Sequence, residues 1–403
     1  MDSQANKSSG DLTPLPYQCS LVTYLKNHEP EVWSWASSAE AEREYLEQVR
    51  TRLLRDCYRL ENDAHADLLG ACERVAQRLS IDAPVTLYQA NDATAMNAAL
   101  YYAPGEAHVV FSGPVLSRLQ GPELEAVLGH ELAHYRLWEN DNRDYLVADR
   151  IMMGAAADGR CANSHIHTAR RLRLYTEIFA DRGAYIGSGS LDATVAALVK
   201  MATGLERVSA ASYLRQADEI FTRVRRGGQE GDHPEQFIRA RAVRLWSESD
   251  TGVDEWLKAE IEGDATLDTL CLVGQQRIAA LTRRLLGEIL RPAWIQTPDT
   301  LAQAKTYFLD FDAGTTVEPL SAAELNCTDS AEQRYWCYVL LDFARADREL
   351  DEVPLAHAWL LSQRLGLQEP FEALVAKELR LNKRQLTRLR NTAAELTDKA
   401  QRS

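Results

Sequence analysis

No run of about 18 apolar residues occurs anywhere in this 403-residue chain, which argues against a membrane-spanning helix. Positive charge is in deficit: 45 lysines and arginines face 59 acidic residues, for a formal net charge of -14. That balance argues against nucleic acid or an anionic membrane as the main partner. The seven cysteines, Cys19, Cys57, Cys72, Cys161, Cys271, Cys327 and Cys337, are scattered and odd in number. No pair of them has metal-site or disulfide-framework spacing, which points to buried free thiols in a reducing compartment, the cytoplasm. Residues 1–16 are polar, without the apolar core of a secretory signal, and read as a disordered N-terminus. Repeats and extended low-complexity tracts are missing too. The remainder is ordinary globular material, 45% hydrophobic and 26% charged, with length for two or three domains.

One short motif carries chemistry. His130-Glu131-Leu132-Ala133-His134 is an HExxH, and its flanks make it helical. Gly121 can cap, Pro122 can take the first helical position, and Leu124, Val127, Leu128, Leu132 and Ala133 recur at helical spacing. On such a helix His130 and His134 lie one above the other and can share a metal ion, with Glu131 beside them. That is the ligand pair and general base of a zinc hydrolase. The bare pattern is short enough to arise by chance, so a third ligand has to be found.

Arg170 to Asp181 reads as a second amphipathic helix, with Glu177 and Asp181 on one face. Two histidines and a glutamate are a standard catalytic zinc set that leaves one position open. A carboxylate one turn beyond the ligand suits the task of accepting the outer N–H of a ligating imidazole. Taken alone, the same two acids read as a solvated face beside arginines. The HExxH helix upstream decides for the metal.

HExxH followed by ExxxD resembles the zinc metallopeptidases that include the HtpX-like heat-shock proteases and the type 1 CAAX prenyl protease. Two further elements match. Met96-Asn97-Ala98-Ala99-Leu100, followed by His108 to Gly113, looks like the strand pair before that family's metal helix. His233-Pro234-Glu235-Gln236-Phe237-Ile238-Arg239 looks like its HP-x(4)-R element. The resemblance covers about Val85 to Leu245. It implies one zinc per chain on His130, His134 and Glu177, Glu131 as base, Asp181 as outer carboxylate, and His233 and Arg239 near the transition state.

The residue chemistry fits those roles. Glu131 can take a proton from water and pass it to the leaving amine. An imidazole such as His233 can share the oxyanion's charge with the metal. Arg239 can fix neighbouring carboxylates or bind substrate; the sequence does not choose between these. Tyr101, Tyr102 and Tyr135 offer further hydroxyl donors but read better as packing. Ala95 to Leu100 and His108 to Ser112, flanking Ala103-Pro104-Gly105-Glu106, read as a hairpin whose edge can take an extended peptide, with Asn97 as its anchor or simply as a polar outward residue.

Glu40 to Ser80 is helical in pattern and closed by Pro84; Leu191 to Val224 and Thr251 to Thr297 are helical as well. His165 and His167, two apart, suit a loop or strand. The Gly227 to Asp232 stretch reads as a loop delivering His233. Near the C-terminus, Trp336 to Glu352 and then Ala356 to Leu365 resemble the small all-helical TerB-like domain, over about Ala322 to Leu396. Its acidic turn, Asp347, Asp351 and Glu352, offers oxygens for a hard cation, but Arg348 stands where that turn usually has glycine, so a solvated loop is the better reading.

The expected protein is therefore α+β, a mostly helical zincin-type core with a small antiparallel sheet and a C-terminal all-α domain. Its parts are a disordered 1–16, a helical segment 17–80, the metallopeptidase domain 81–250, a helical connector 251–320 and the TerB-like 321–403. The expected activity is zinc endopeptidase on a peptide or protein substrate, without integral membrane anchoring and with a protein partner for the C-terminal helices. The alternatives are an aminopeptidase, which needs a carboxylate for the substrate amine, and a latent or vestigial peptidase acting as an interaction or stress-response adaptor.

Overall fold

The computed structural model describes residues 12–91, 95–223, 235–263, 267–315, 318–325 and 330–402. The chain divides into two compact units, Met1–Asp264 and Ala265–Ser403.

The first unit opens with α1 (Pro16–His28), α2 (Pro30–Ala36) and α3 (Ala39–Asp56). Tyr17 of α1 stacks on Tyr175 at 4.8 Å, and the Gln18 side-chain amide donates to the Thr176 hydroxyl at 3.2 Å. The helical pattern expected from Glu40 to Ser80 is present as a pair of helices, α3 and α4 (Asn62–Arg78), with strand β1 (Cys57–Arg59) between them. Tyr58, which fell on the helical apolar period, is exposed on that strand, because backbone pairing with β2 (Val85–Ala90) overrides the periodicity there.

Strands β3 (Asn97–Ala103) and β4 (Glu106–Ser112) form the expected hairpin, and Gly105 in its turn has φ +73°. The sheet is mixed, not antiparallel as expected: its order is β1-β2-β4-β3, and β2 pairs parallel with β4. The hairpin places β4 beside β2, so β3 becomes the edge, paired on one side only among the described residues. Buried Leu87, Val109 and Phe111 join Leu128 and Leu132 in one apolar core.

After a short α5 (Val115–Arg118) comes α6 (Pro122–Glu139), with Pro122 at its first turn as expected. Glu125 in that turn is held by Arg74 (2.7 Å) and Arg78 (3.1 Å) of α4. α7 (Asp144–Ala157) leads into α8 (Asn163–Ser188), and His165 and His167 lie in the opening turns of α8 and not in a loop or strand. α9 (Leu191–Thr203), α10 (Ala210–Arg223), α11 (Gln236–Ser247) and α12 (Val253–Glu262) complete the unit. Lys200 of α9 donates to Glu123 at 2.8 Å, fastening the start of α6 a second time.

The second unit is all-helical: α13 (Leu272–Ile289), α14 (Pro298–Tyr307), α15 (Ala322–Leu325), α16 (Ser330–Arg345), α17 (Val353–Arg364), α18 (Gln368–Glu378) and α19 (Lys383–Arg402). Leu285, Trp336, Leu340, Trp359 and Phe371 belong to a single buried core. The stretch read as a connector, 251–320, is thus divided: α12 belongs to the first unit, while α13 and α14 share the core of the second. In the acidic turn, Asp347 accepts from the backbone N–H of Glu349 at 2.8 Å. Among the described residues no helix is long and apolar enough to cross a membrane.

Candidate metal centre

Two helices make the site, and small residues let them approach. A Cβ built on Gly129 of α6 would lie 2.6 Å from the Gly183 carbonyl oxygen of α8. One built on Gly183 would lie 2.3 Å from the Ala133 Cβ, and one on Gly187 would lie 2.9 Å from the Gly129 Cα. Only hydrogen fits at these three positions, so the backbones of α6 and α8 are nearly in contact. That proximity is what carries Glu177 across to His130 and His134.

His130 Nε2 stands 3.6 Å from Glu177 Oε2, and His134 Nε2 stands 3.8 Å from Glu177 Oε1. One donor atom from each of the three residues lies within 4.8 Å of the others. Nitrogen and oxygen donors about 2 Å from a central ion would be spaced about 3–3.5 Å apart, so this set suits zinc after a small contraction. Among the described residues no second group of this kind occurs.

The supporting shell is as specific as the ligands. His130 Nδ1 is 3.1 Å from Asp181 Oδ1, which leaves its Nε2 facing Glu177. Arg239 of α11 grips Asp181 with two bonds, Nε to Oδ2 at 2.7 Å and Nη2 to Oδ1 at 2.6 Å. The same Nη2 is 3.4 Å from Glu177 Oε2. Of the two roles the sequence left open for Arg239, the pairing seen here is with carboxylates. Burial alone would raise the Asp181 carboxyl, but Arg239 and His130 hold it below the ordinary carboxylate range, so it stays an acceptor. Burial and the neighbouring His130 push His134 down to about 4, which keeps it neutral and able to ligate. For His130 burial works in the same direction, but Asp181 and Glu177 outweigh it and raise its pKa.

Glu131 is buried on the next helical position. Burial raises its pKa, and Glu177 adds to this, while His130 and a hydrogen bond from the Leu100 backbone pull the other way. Leu100 lies on β3, so the edge strand and the candidate base are in direct contact. Asn97 opens the same strand, exposed, and lines the cleft. Tyr102 donates to Glu139 and packs against Tyr135 and Trp138, the structural role expected of it. His233 lies outside the described residues.

A cavity of about 610 Å³ contains His130, Glu131, His134 and Glu177 and reaches from β3 to α9 and α11. Gln236, at the start of α11, lines it as well. The glycine contacts and the Arg239 grip were not anticipated from sequence. The spacing Gly129-Ala133 and Gly183-Gly187, small residues four apart on both helices, was the available signal for the first.

No curated protein and no solved structure matches the chain. Residues 63–156 match peptidase family M48, a span that runs from α4 through the sheet and the HExxH helix to α7. The third ligand, Glu177, lies beyond the matched span, yet the fold delivers it to the two histidines. Residues 63–156, within the first unit, are therefore similar to the metallopeptidases of family M48.

Proposed function

We propose that the protein is a zinc-dependent metalloendopeptidase that hydrolyses peptide bonds in protein substrates. The observation that carries this is the meeting of three ligand side chains with a buried Glu131 in a cleft walled by an edge strand. Zinc, when bound by His130, His134 and Glu177, supplies Lewis acidity to a carbonyl oxygen and makes water nucleophilic at neutral pH. Glu131 takes the proton released as water attacks and returns it to the leaving nitrogen. The Leu100 N–H orients its carboxylate, and a pKa raised by burial brings it closer to the working pH. Asp181 holds the proton on His130 Nδ1, and Arg239 keeps Asp181 ionised. An extended peptide laid along β3 would be read by its backbone, which suits varied protein sequences.

Zinc content tests the ligand set. The purified protein should carry about one zinc per chain, and Glu177→Ala should lose most of it. Full zinc in that variant, measured by metal analysis, would move the third ligand elsewhere. Digestion of casein by the parent protein, abolished by chelator and restored by zinc, tests the activity itself.

His233 completes the reading as the donor to the oxyanion. In the sequence it stands three residues before Gln236, a cleft residue. His233→Ala should lower kcat by about 10²- to 10³-fold with zinc content and KM little changed, the pattern of a contact made in the transition state. A rise in KM at constant kcat would make it a substrate-binding residue instead.

A further inference from the structure

The cleft has a polar wall that the hydrolytic chemistry does not use. Near the start of α6, Ala126 and Val127 belong to an apolar cluster with Ala197 and Met201 of α9. From α7 and α8 the lining is different: Asp149, Met153, Arg173 and Thr176 face the same cavity. Arg173 precedes Glu177 by one helical turn, about 6 Å of axial rise, so this wall adjoins the metal-binding group.

Asp149 is the unusual member. Two buried carboxylates of this unit are closed off by partners, Asp181 by Arg239 and Glu125 by Arg74 and Arg78. No hydrogen bond or ion pair closes off Asp149 among the described residues, although it is half-buried in the cleft. Arg150 and Arg173 act on it only through space, and burial outweighs both, raising its pKa to about 6. Arg173 meanwhile donates to the Met153 sulfur at 3.1 Å. A desolvated carboxylate without donors is costly to fold around, and a ligand that brings donors recovers that cost.

Resting on the peptidase reading, we propose that Asp149 is a specificity-determining residue that receives a cationic nitrogen of the substrate. The nitrogen belongs to a lysine or arginine side chain or to a free N-terminal amine; both offer charged N–H donors of the same chemistry. The net charge of -14 favours the approach of such substrates at long range.

Binding tests this without turnover. Zinc-loaded Glu131→Gln protein is titrated by calorimetry with matched peptides carrying lysine, arginine, leucine or glutamate at each position in turn, with free or acetylated N-termini. A cationic peptide should bind about ten- to a hundredfold tighter than its leucine counterpart, the range for a hydrogen bond to a charged group. Adding Asp149→Asn, which keeps the side chain's shape, should collapse that difference, and Asp149→Lys should turn the preference toward glutamate. If acetylation abolishes the preference, the N-terminal amine is the source; if side-chain replacement does, lysine or arginine is. An equal loss of affinity for all peptides in Asp149→Asn, or an undiminished preference, overturns the proposal. Cleavage by the parent protein is scored separately: peptides bound through Asp149 but never cut would sink the peptidase reading and leave this one standing.

Discussion

Glu131→Gln should retain its zinc, its fold and its affinity for peptides while hydrolysing them about 10⁴-fold more slowly, near the upper end of what one positioned base contributes. The amide is nearly the same size as the carboxylate and is not part of the ligand set, so the three ligands stay in place. It cannot accept the proton of the attacking water, and it cannot deliver one to the leaving nitrogen. Its oxygen can still accept the bond from the Leu100 backbone, so β3 should hold its place beside α6. The comparison needs zinc analysis and a single-turnover assay on the same preparation. Zinc loss with activity loss would mean that Glu131 is structural. Full activity would mean that this HExxH is not the reacting centre.

Why the metal group could be found in the sequence, and its support could not, is a matter of range. His130 and His134 are related by one helical turn, and Glu177 and Asp181 by another, so local periodicity places each pair on one face. The likeness to a known motif order then joins the pairs. Arg239 is different: it reaches Asp181 across 58 residues, and no local rule says whether its guanidinium turns toward carboxylates or toward substrate. Asp149 is harder still. Its sequence neighbours, Ala148 and Arg150, describe an ordinary helix, and only the packing of α7 against α8 exposes its carboxylate to the cleft.

The sheet shows the same limit. The hairpin was visible because its turn, Pro104-Gly105, is local, whereas the parallel pairing of β2 with β4 joins strands that are not neighbours in the chain. That non-local step made the sheet mixed and put β3 on the edge. The helical signal from Glu40 to Ser80 failed at Cys57 to Arg59 for a related reason, since pairing with β2 is decided by a segment further along the chain.

The contact between α6 and α8 supplies the largest expected effect on stability, and it can be read against an internal control. Gly183→Ala adds a methyl where the nearest side-chain carbon, Ala133 Cβ, would be 2.3 Å away and the Gly129 carbonyl oxygen 2.9 Å away. Neither is the end of a flexible chain that could swing aside, so α6 and α8 must separate. Overpacking of this kind costs about 1–3 kcal/mol or more, against a helix-propensity gain of about 0.5–1 kcal/mol for replacing glycine by alanine. The net should be destabilising. Gly154 of α7 is exposed, and a Cβ there would meet nothing within 4 Å, so Gly154→Ala should keep only the propensity gain. The two variants, identical in chemistry, should therefore move the urea midpoint in opposite directions. Separation of the helices also pulls Glu177 away from His130 and His134, so Gly183→Ala should bind zinc at least about tenfold more weakly, while Gly154→Ala should bind it as the parent does. A Gly183→Ala protein with parental stability and parental zinc affinity would show that the close approach of these helices does not hold the metal centre together.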